Sequence, residues 1–166
     1  MKLPDAEALL AELTARIRPD VDAGTALVGI RTGGVWIAER LHHALDLQLP
    51  LGIIDVAFYR DDYKKKGLAP GVRPSDIRFP AEDARIILVD DVLYTGRTIR
   101  AAVNEIFDYG RPTSIGLAAL VDRGGRELPI CAQYVGAVIT ARRDESIELR
   151  RDESGRLTLA IAPRAG

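Results

Sequence analysis

Ile86, Ile87, Leu88 and Val89 run without a break into two adjacent carboxylates, Asp90 and Asp91, and Thr95-Gly96-Arg97-Thr98 follows shortly after. A continuous apolar run of this kind reads as a strand buried on both faces, the habit of parallel sheets. Carboxylates at its carboxyl end fall where ligands bind in open α/β sheets. A helical apolar pattern begins at about Thr98, so the Thr-Gly-Arg-Thr turn feeds a helix N-terminus. The backbone N–H groups there, beside two hydroxyls, form a cradle for phosphate.

A ribose 5-phosphate uses both halves at once. Its hydroxyls donate to the carboxylates and its phosphate enters the cradle. Two carboxylates on a buried strand end with no such partner would carry a large desolvation cost, which argues against a merely acidic sheet edge.

Arg31-Thr32-Gly33-Gly34 follows a second apolar run, Ala26 to Ile30, and opens another helical pattern. Glycines let backbone N–H groups approach an anion closely, and Arg31 adds a fixed positive charge. Alone this turn is commonplace, but together with the 86–98 block it reads as a second anion site. Helical spacing is also clear over residues 4 to 18, 35 to 47 and 98 to 109. Apolar strands are predicted at 51 to 59 and 114 to 121, with a short one within 132 to 139. A terminal hairpin pairs 146–151 with 156–161. Alternating strands and helices imply a mostly parallel sheet covered on both faces.

Residues 60 to 80 break every period, with Pro70, Pro74, Pro80, Gly67 and Gly71 among charged side chains. Tyr59-Arg60-Asp61-Asp62 opens this stretch, and Lys64, Lys65 and Lys66 follow. It reads either as a solvated charged loop or as a lid. As a lid, Arg60 and the lysines would stabilise charge on a leaving group, and closure would keep water out. Asp122-Arg123-Gly124-Gly125-Arg126-Glu127-Leu128-Pro129-Ile130 lies past the end of the 114–121 strand. Arg126 and Glu127 either pair with each other at the surface or bring charge to the ligand edge, and both readings stay open. His42 and His43 read as structural, Cys131 as a buried small residue, and Trp36 as core.

The 166 residues fit one domain, 1–166, able to bury a substantial core. A net charge of −1 weighs against a domain built mainly to hold nucleic acid. A lone cysteine excludes an internal disulfide and suits a reducing, cytoplasmic setting. No apolar stretch is long enough for a membrane span, and the N-terminus lacks the apolar core of a signal peptide. Zinc clusters, a nucleotide P-loop and a dinucleotide fingerprint are absent from the sequence.

The 86–98 block resembles the phosphoribosyl-pyrophosphate loop of the type I phosphoribosyltransferases. Over roughly residues 26 to 140, the Val28–Gly34, Tyr59–Asp62, 86–98, Gly110–Pro112, Val121–Ile130 and Tyr134–Gly136 segments together resemble one family. It is the bifunctional pyrimidine-operon attenuation regulator/uracil phosphoribosyltransferase family. The Asp122–Ile130 segment is what narrows the superfamily to it. The resemblance implies a type I phosphoribosyltransferase-like α/β fold: a mostly parallel central sheet, helices on both faces, and a hood or lid over the carboxyl edge. The 60–80 loop would be the lid, and 132–162 the hood and C-terminal hairpin.

It further implies transfer of phosphoribosyl to uracil, giving UMP and pyrophosphate. Asp90, Asp91 and Arg60 would be catalytic, with Asp90 and Asp91 on the ribose hydroxyls. Thr95, Gly96, Arg97 and Thr98 would hold the 5-phosphate; Arg31, Thr32 and Gly33 would hold pyrophosphate. Val138 and Ile139 would lie at the base. Mg2+ would sit near Asp90 and Asp91, mainly on substrate oxygens. No general base stands out, which leaves leaving-group stabilisation and positioning to carry catalysis. A homodimer or larger homo-oligomer is expected.

Two alternatives stay open: a UMP-sensing, RNA-binding attenuator, and a purine phosphoribosyltransferase. RNA is disfavoured by departures from the family pattern. Residues 8 to 16 are largely apolar and acidic where regulators carry basic residues. Gly125 replaces a histidine, Cys131 replaces a basic residue, Gly136–Ala141 departs from the usual segment, and the loop between Asp62 and Asp90 is short. A weak basic surface weakens the phosphate contacts that dominate RNA affinity.

Overall fold

The computed structural model describes residues 1–56 and 75–164. In chain order these form α1 (Ala6–Ile17), a short 3-10 turn (Arg18–Asp20), β1 (Thr25–Ile30), α2 (Gly33–Ala44), β2 (Gly52–Ile54), β3 (Arg85–Leu93) and α3 (Arg97–Tyr109). Then follow β4 (Ser114–Asp122), β5 (Tyr134–Val138), β6 (Glu145–Arg151) and β7 (Leu157–Pro163). The first five strands make one sheet in the order β2-β1-β3-β4-β5, with every neighbouring pair parallel. β6 and β7 form a separate antiparallel hairpin.

Alternation along the strands sorts the core into two layers. On one face Leu27, Ile87, Val89 and Leu120 meet Leu9, Leu10, Leu13 and Ile17 of α1, Ile37, Ala38 and Leu41 of α2, and Ile147, Leu149 and Leu157 of the hairpin. On the other, Val28, Ile86, Leu88 and Ala119 meet Ile99, Ala102 and Ile106 of α3. Helices therefore cover both faces, as the sequence implies. α1 starts at Asp5, whose carboxylate accepts the Glu7 N–H at 2.8 Å as an N-cap. It gives way to the 3-10 turn at Arg18-Pro19.

Three elements differ from the sequence expectation. β3 does not stop at Val89 but runs to Leu93, so both carboxylates lie within the strand. β5, expected at the start of the hood, is the fifth strand of the main sheet. β2 covers only Gly52–Ile54; Asp55 and Val56 lie beyond its end, and residues 57–59 of the expected 51–59 strand lie outside the described residues.

The strand order places the site. From β1 the chain crosses through α2 to β2 on one side. From β3 it crosses through α3 to β4 on the other side. β1 and β3 thus flank a topological switch point, where open α/β sheets leave a crevice at their carboxyl ends. Pairing between β1 and β3 ends at Gly29 with Val89, whereas β3 and β4 stay paired to Leu93 with Asp122. The β1-facing edge of Asp90 and Asp91 is left open to the loop that follows β1.

Candidate active site

Two loops meet at the switch point. The one after β1 carries Arg31, Thr32 and Gly33; its Arg31–Thr32 peptide is cis. Gly33 and Gly34, the first residues of α2, come so close to β3 that no side chain fits. A Cβ on Gly34 would lie 2.5 Å from the Val89 carbonyl oxygen and 3.1 Å from Asp90 Cα. A Cβ on Gly33 would overlap the Asp91 carboxylate. The glycines that the sequence assigns to an anion cradle therefore also seat this loop against the two carboxylates.

Asp90 is buried at 4% exposure and Asp91 is half-buried. They are consecutive in a strand, so they project to opposite faces, Asp91 toward the N-terminus of α2. Asp90 Oδ1 accepts the Asp91 N–H at 3.0 Å, and Asp91 Oδ1 accepts the Val92 N–H at 3.0 Å. Each carboxylate is oriented by the backbone of the next residue.

Arg31 lies beside Asp55, with Nε to Oδ2 at 3.9 Å, and its N–H donates to the Ile54 carbonyl at 2.9 Å. The Arg31 Nε is buried and has no hydrogen-bond acceptor among the described residues. A buried guanidinium donor of this kind suits an anion beside it.

Past β3, Gly96 turns the chain into α3 with φ +94°, a left-handed conformation that favours glycine. Thr95 is buried, and its Oγ1 accepts the Arg97 N–H at 3.2 Å. Thr98 lies in the first turn, where N–H groups point out of the helix end. Thr95 to Thr98, assigned from the sequence to a phosphate cradle, thus span the loop after β3 and the first turn of α3.

The phosphoribosyl transferase domain family matches residues 2–144 of the chain. A protein of Ralstonia nicotianae named bifunctional protein PyrR is 52% identical over 169 residues, covering 96% of this chain and 95% of its own. One of the same name from Nitrosococcus oceani is 57% identical over 126 residues, covering 75% and 71%. The chain belongs to the PyrR family of phosphoribosyltransferases. A hypoxanthine phosphoribosyltransferase structure from Staphylococcus aureus superposes with a TM-score of 0.65, covering 83% of this chain and 75% of that one. At 23% identity it shows a shared fold alone.

In this PyrR-family chain the two residues expected at the base, Val138 and Ile139, differ in exposure. Val138 is 76% exposed, whereas Ile139 is 7% exposed and packed into the core with the hairpin. Of the two, only the Val138 side chain offers surface to a ligand. Arg60, Tyr59 and the greater part of the 60–80 loop lie outside the described residues. Cys131, expected to be buried, is exposed. Trp36 is half-buried against the core, with the Arg151 guanidinium 4.7 Å from its ring centroid. His42 Nε2 lies 2.7 Å from the Leu49 carbonyl, in keeping with a structural histidine. Arg126 and Glu127 do not pair with each other: Arg126 binds Asp122 at 2.5 Å and Glu127 binds Arg97 at 2.7 Å.

Tyr94 carried no signal in the sequence, yet it organises the carboxyl edge. Arg123 stacks on its ring at 3.9 Å, and Arg164, after β7, lies 4.8 Å from the same centroid and donates to its hydroxyl at 2.6 Å. Arg123, 7% exposed, also donates to the Glu145 and Arg142 carbonyls at 3.0 and 3.1 Å. The hairpin is thereby tied to the chain between Asp91 and Thr95.

Proposed function

We propose that this chain transfers phosphoribosyl from 5-phosphoribosyl 1-pyrophosphate to uracil, forming UMP and pyrophosphate. The observation that carries this reading is the seating of Gly33 against Asp91. In this reading it brings an anion loop beside a sugar-hydroxyl site, with the N-terminus of α3 just past the end of β3.

In this reading Thr95, Gly96, Arg97 and Thr98 hold the 5-phosphate, while Asp90 and Asp91 accept from the ribose hydroxyls. The negative charge of the two carboxylates favours the positive character that grows at C1 as the leaving group departs. Arg31, Thr32 and Gly33 hold the pyrophosphate, whose added charge meets the Arg31 guanidinium. Fixing both ends of the sugar converts the reaction into one between prepositioned groups. Val138 lines the base, and Arg60, outside the described residues, is assigned to the leaving group.

Hard oxygen donors at Asp90 and Asp91 suit Mg2+. Among the described residues no group of three or more His, Cys, Asp or Glu converges as a cage. In this reading the ion would be carried in on substrate oxygens, beside Asp90 and Asp91, where it would neutralise pyrophosphate charge. We assign the working form to a homo-oligomer. No helix among the described residues is long and apolar enough to cross a membrane.

A second reading, a UMP-sensing RNA-binding attenuator, is favoured by the word bifunctional in the relatives' name. Against it, the exposed positions of α1 include Ala11, Glu12, Ala15 and Arg16, with a single basic residue. Titration with a pyrimidine-leader hairpin and an unrelated RNA at two salt concentrations tests it. Tight, hairpin-specific binding supports the attenuator, and equal weak binding of both removes it. The enzyme reading is tested by UMP formation from uracil, phosphoribosyl pyrophosphate and Mg2+.

A further inference from the structure

The Asp122–Ile130 segment has no role in the scheme above, yet it grips the loop assigned to the 5-phosphate. The Glu127 and Leu128 N–H groups both donate to the Thr95 carbonyl, at 2.9 and 3.1 Å. Arg126 Nη1 donates to the Tyr94 carbonyl at 2.7 Å, its Nε to the Ile130 carbonyl at 2.9 Å, and its Nη2 to Asp122 Oδ2 at 2.5 Å. Ile130 Cγ1 stands 2.9 Å from where a Gly96 Cβ would be, so its side chain backs the glycine.

We infer that Arg126 is a positioning residue for the 5-phosphate: with the backbone of Glu127 and Leu128, it turns the donors of the Tyr94–Gly96 loop toward the ligand by holding the loop's carbonyls. The reason lies in the peptide unit. In a planar trans peptide the C=O and the following N–H point in opposite directions. Arg126 fixes the Tyr94 carbonyl, so the Thr95 N–H points away from the Asp122–Ile130 segment. Glu127 and Leu128 fix the Thr95 carbonyl, so the Gly96 N–H does the same. Without these contacts, N–H dipoles converging on one point would repel, and the peptides would rotate. Arg126 itself does not reach the phosphate in this arrangement, since Nε, Nη1 and Nη2 are each engaged by protein acceptors and Asp122 balances its charge.

The inference rests on Thr95–Thr98 being the 5-phosphate site, and the test separates the two. The variants are Arg126→Met, Arg126→Lys and Ile130→Ala. The readouts are KM for phosphoribosyl pyrophosphate, KM for uracil, and the affinities for UMP and for uridine, which lacks the phosphate. The expected result for Arg126→Met is a rise of about tenfold in both KM for phosphoribosyl pyrophosphate and Kd for UMP. KM for uracil and Kd for uridine should hold within about twofold. Arg126→Lys should fall between, since one ammonium cannot span three acceptors. Ile130→Ala should move the same two constants in the same direction, and it decides the matter if Arg126→Met does not fold. Unchanged constants in variants of an active enzyme would overturn the inference and spare the site. Equal losses for UMP and uridine would overturn it too, as a general loosening. A wild-type protein that binds UMP no better than uridine would remove the phosphate site itself, and the inference with it.

Discussion

Gly33 lies directly against Asp91: a Cβ on the glycine would stand 2.7 Å from the aspartate's Cγ and 3.0 Å from its Cβ. Neither group can give way freely. Gly33 begins α2, whose next residue already touches the β3 backbone, and Asp91 is held by the Val92 N–H. Gly33→Ala should therefore displace the carboxylate from the loop. The expected outcome is a fall of at least about tenfold in kcat/KM with a stability loss of about 1–3 kcal/mol, typical of overpacking. Steady-state kinetics and urea unfolding check it.

Asp90 and Asp91 are assigned to the ribose, so replacing both with Asn should remove the charge that answers C1. Transfer should drop at least about a hundredfold. The fold should persist, because Asn is nearly isosteric and can still accept the backbone N–H groups that orient these side chains. Near-ultraviolet circular dichroism reports the fold, and full activity in the double variant would rule out the assignment.

The hairpin hangs on Arg123. Arg123→Met keeps the length but removes the donors to the Glu145 and Arg142 carbonyls and the charge over Tyr94. A loss of about 1–3 kcal/mol is expected from the two lost hydrogen bonds, although the Arg142 carbonyl keeps the Glu145 N–H at 3.1 Å. Amide exchange should quicken selectively across β6 and β7 if the hairpin opens as a unit.

Burial first, and then the hydrogen bond to Asp20 at 2.7 Å, push the Tyr134 hydroxyl up to about 12. A raised pKa means the folded state keeps a proton that the unfolded chain gives up from about pH 10. The stabilisation is complete below that value and is lost as pH rises toward 12. The stability difference between wild type and Tyr134→Phe should be flat from pH 7 to 9 and should shrink between pH 10 and 12. Denaturant unfolding across that range checks it.

Much of the architecture was legible because its signals are local. The run Ile86–Val89, the stripe Leu9, Leu10, Leu13 and Ile17, and the glycine turns each announce an element by period or backbone need. Where β3 ends was not legible, because its neighbours set it: β1 releases it at Val89 while β4 holds it to Leu93. Cys131 looked like core by residue type, but it follows Ile130 at the end of a segment committed to the Gly96 turn and is left exposed. Arg126 and Glu127 looked like partners because they are adjacent in sequence, yet Asp122 and Arg97 engage them from other parts of the site. Tyr94 is a single aromatic in a loop. Its three arginine contacts come from residues 29, 32 and 70 positions downstream, a separation no local pattern encodes. Val138 and Ile139 were indistinguishable as apolar neighbours, and only the closing hairpin separates the exposed from the buried one.

The most direct test of the central claim is nucleotide formation from phosphoribosyl pyrophosphate and Mg2+ with uracil, hypoxanthine, guanine and orotate offered in separate reactions. UMP should form from uracil, with no product from the other three. Turnover of a purine in place of uracil would keep the sugar-phosphate site and contradict the base assignment. No turnover of any base by a folded protein that still binds UMP would contradict the enzyme reading and bring the attenuator forward.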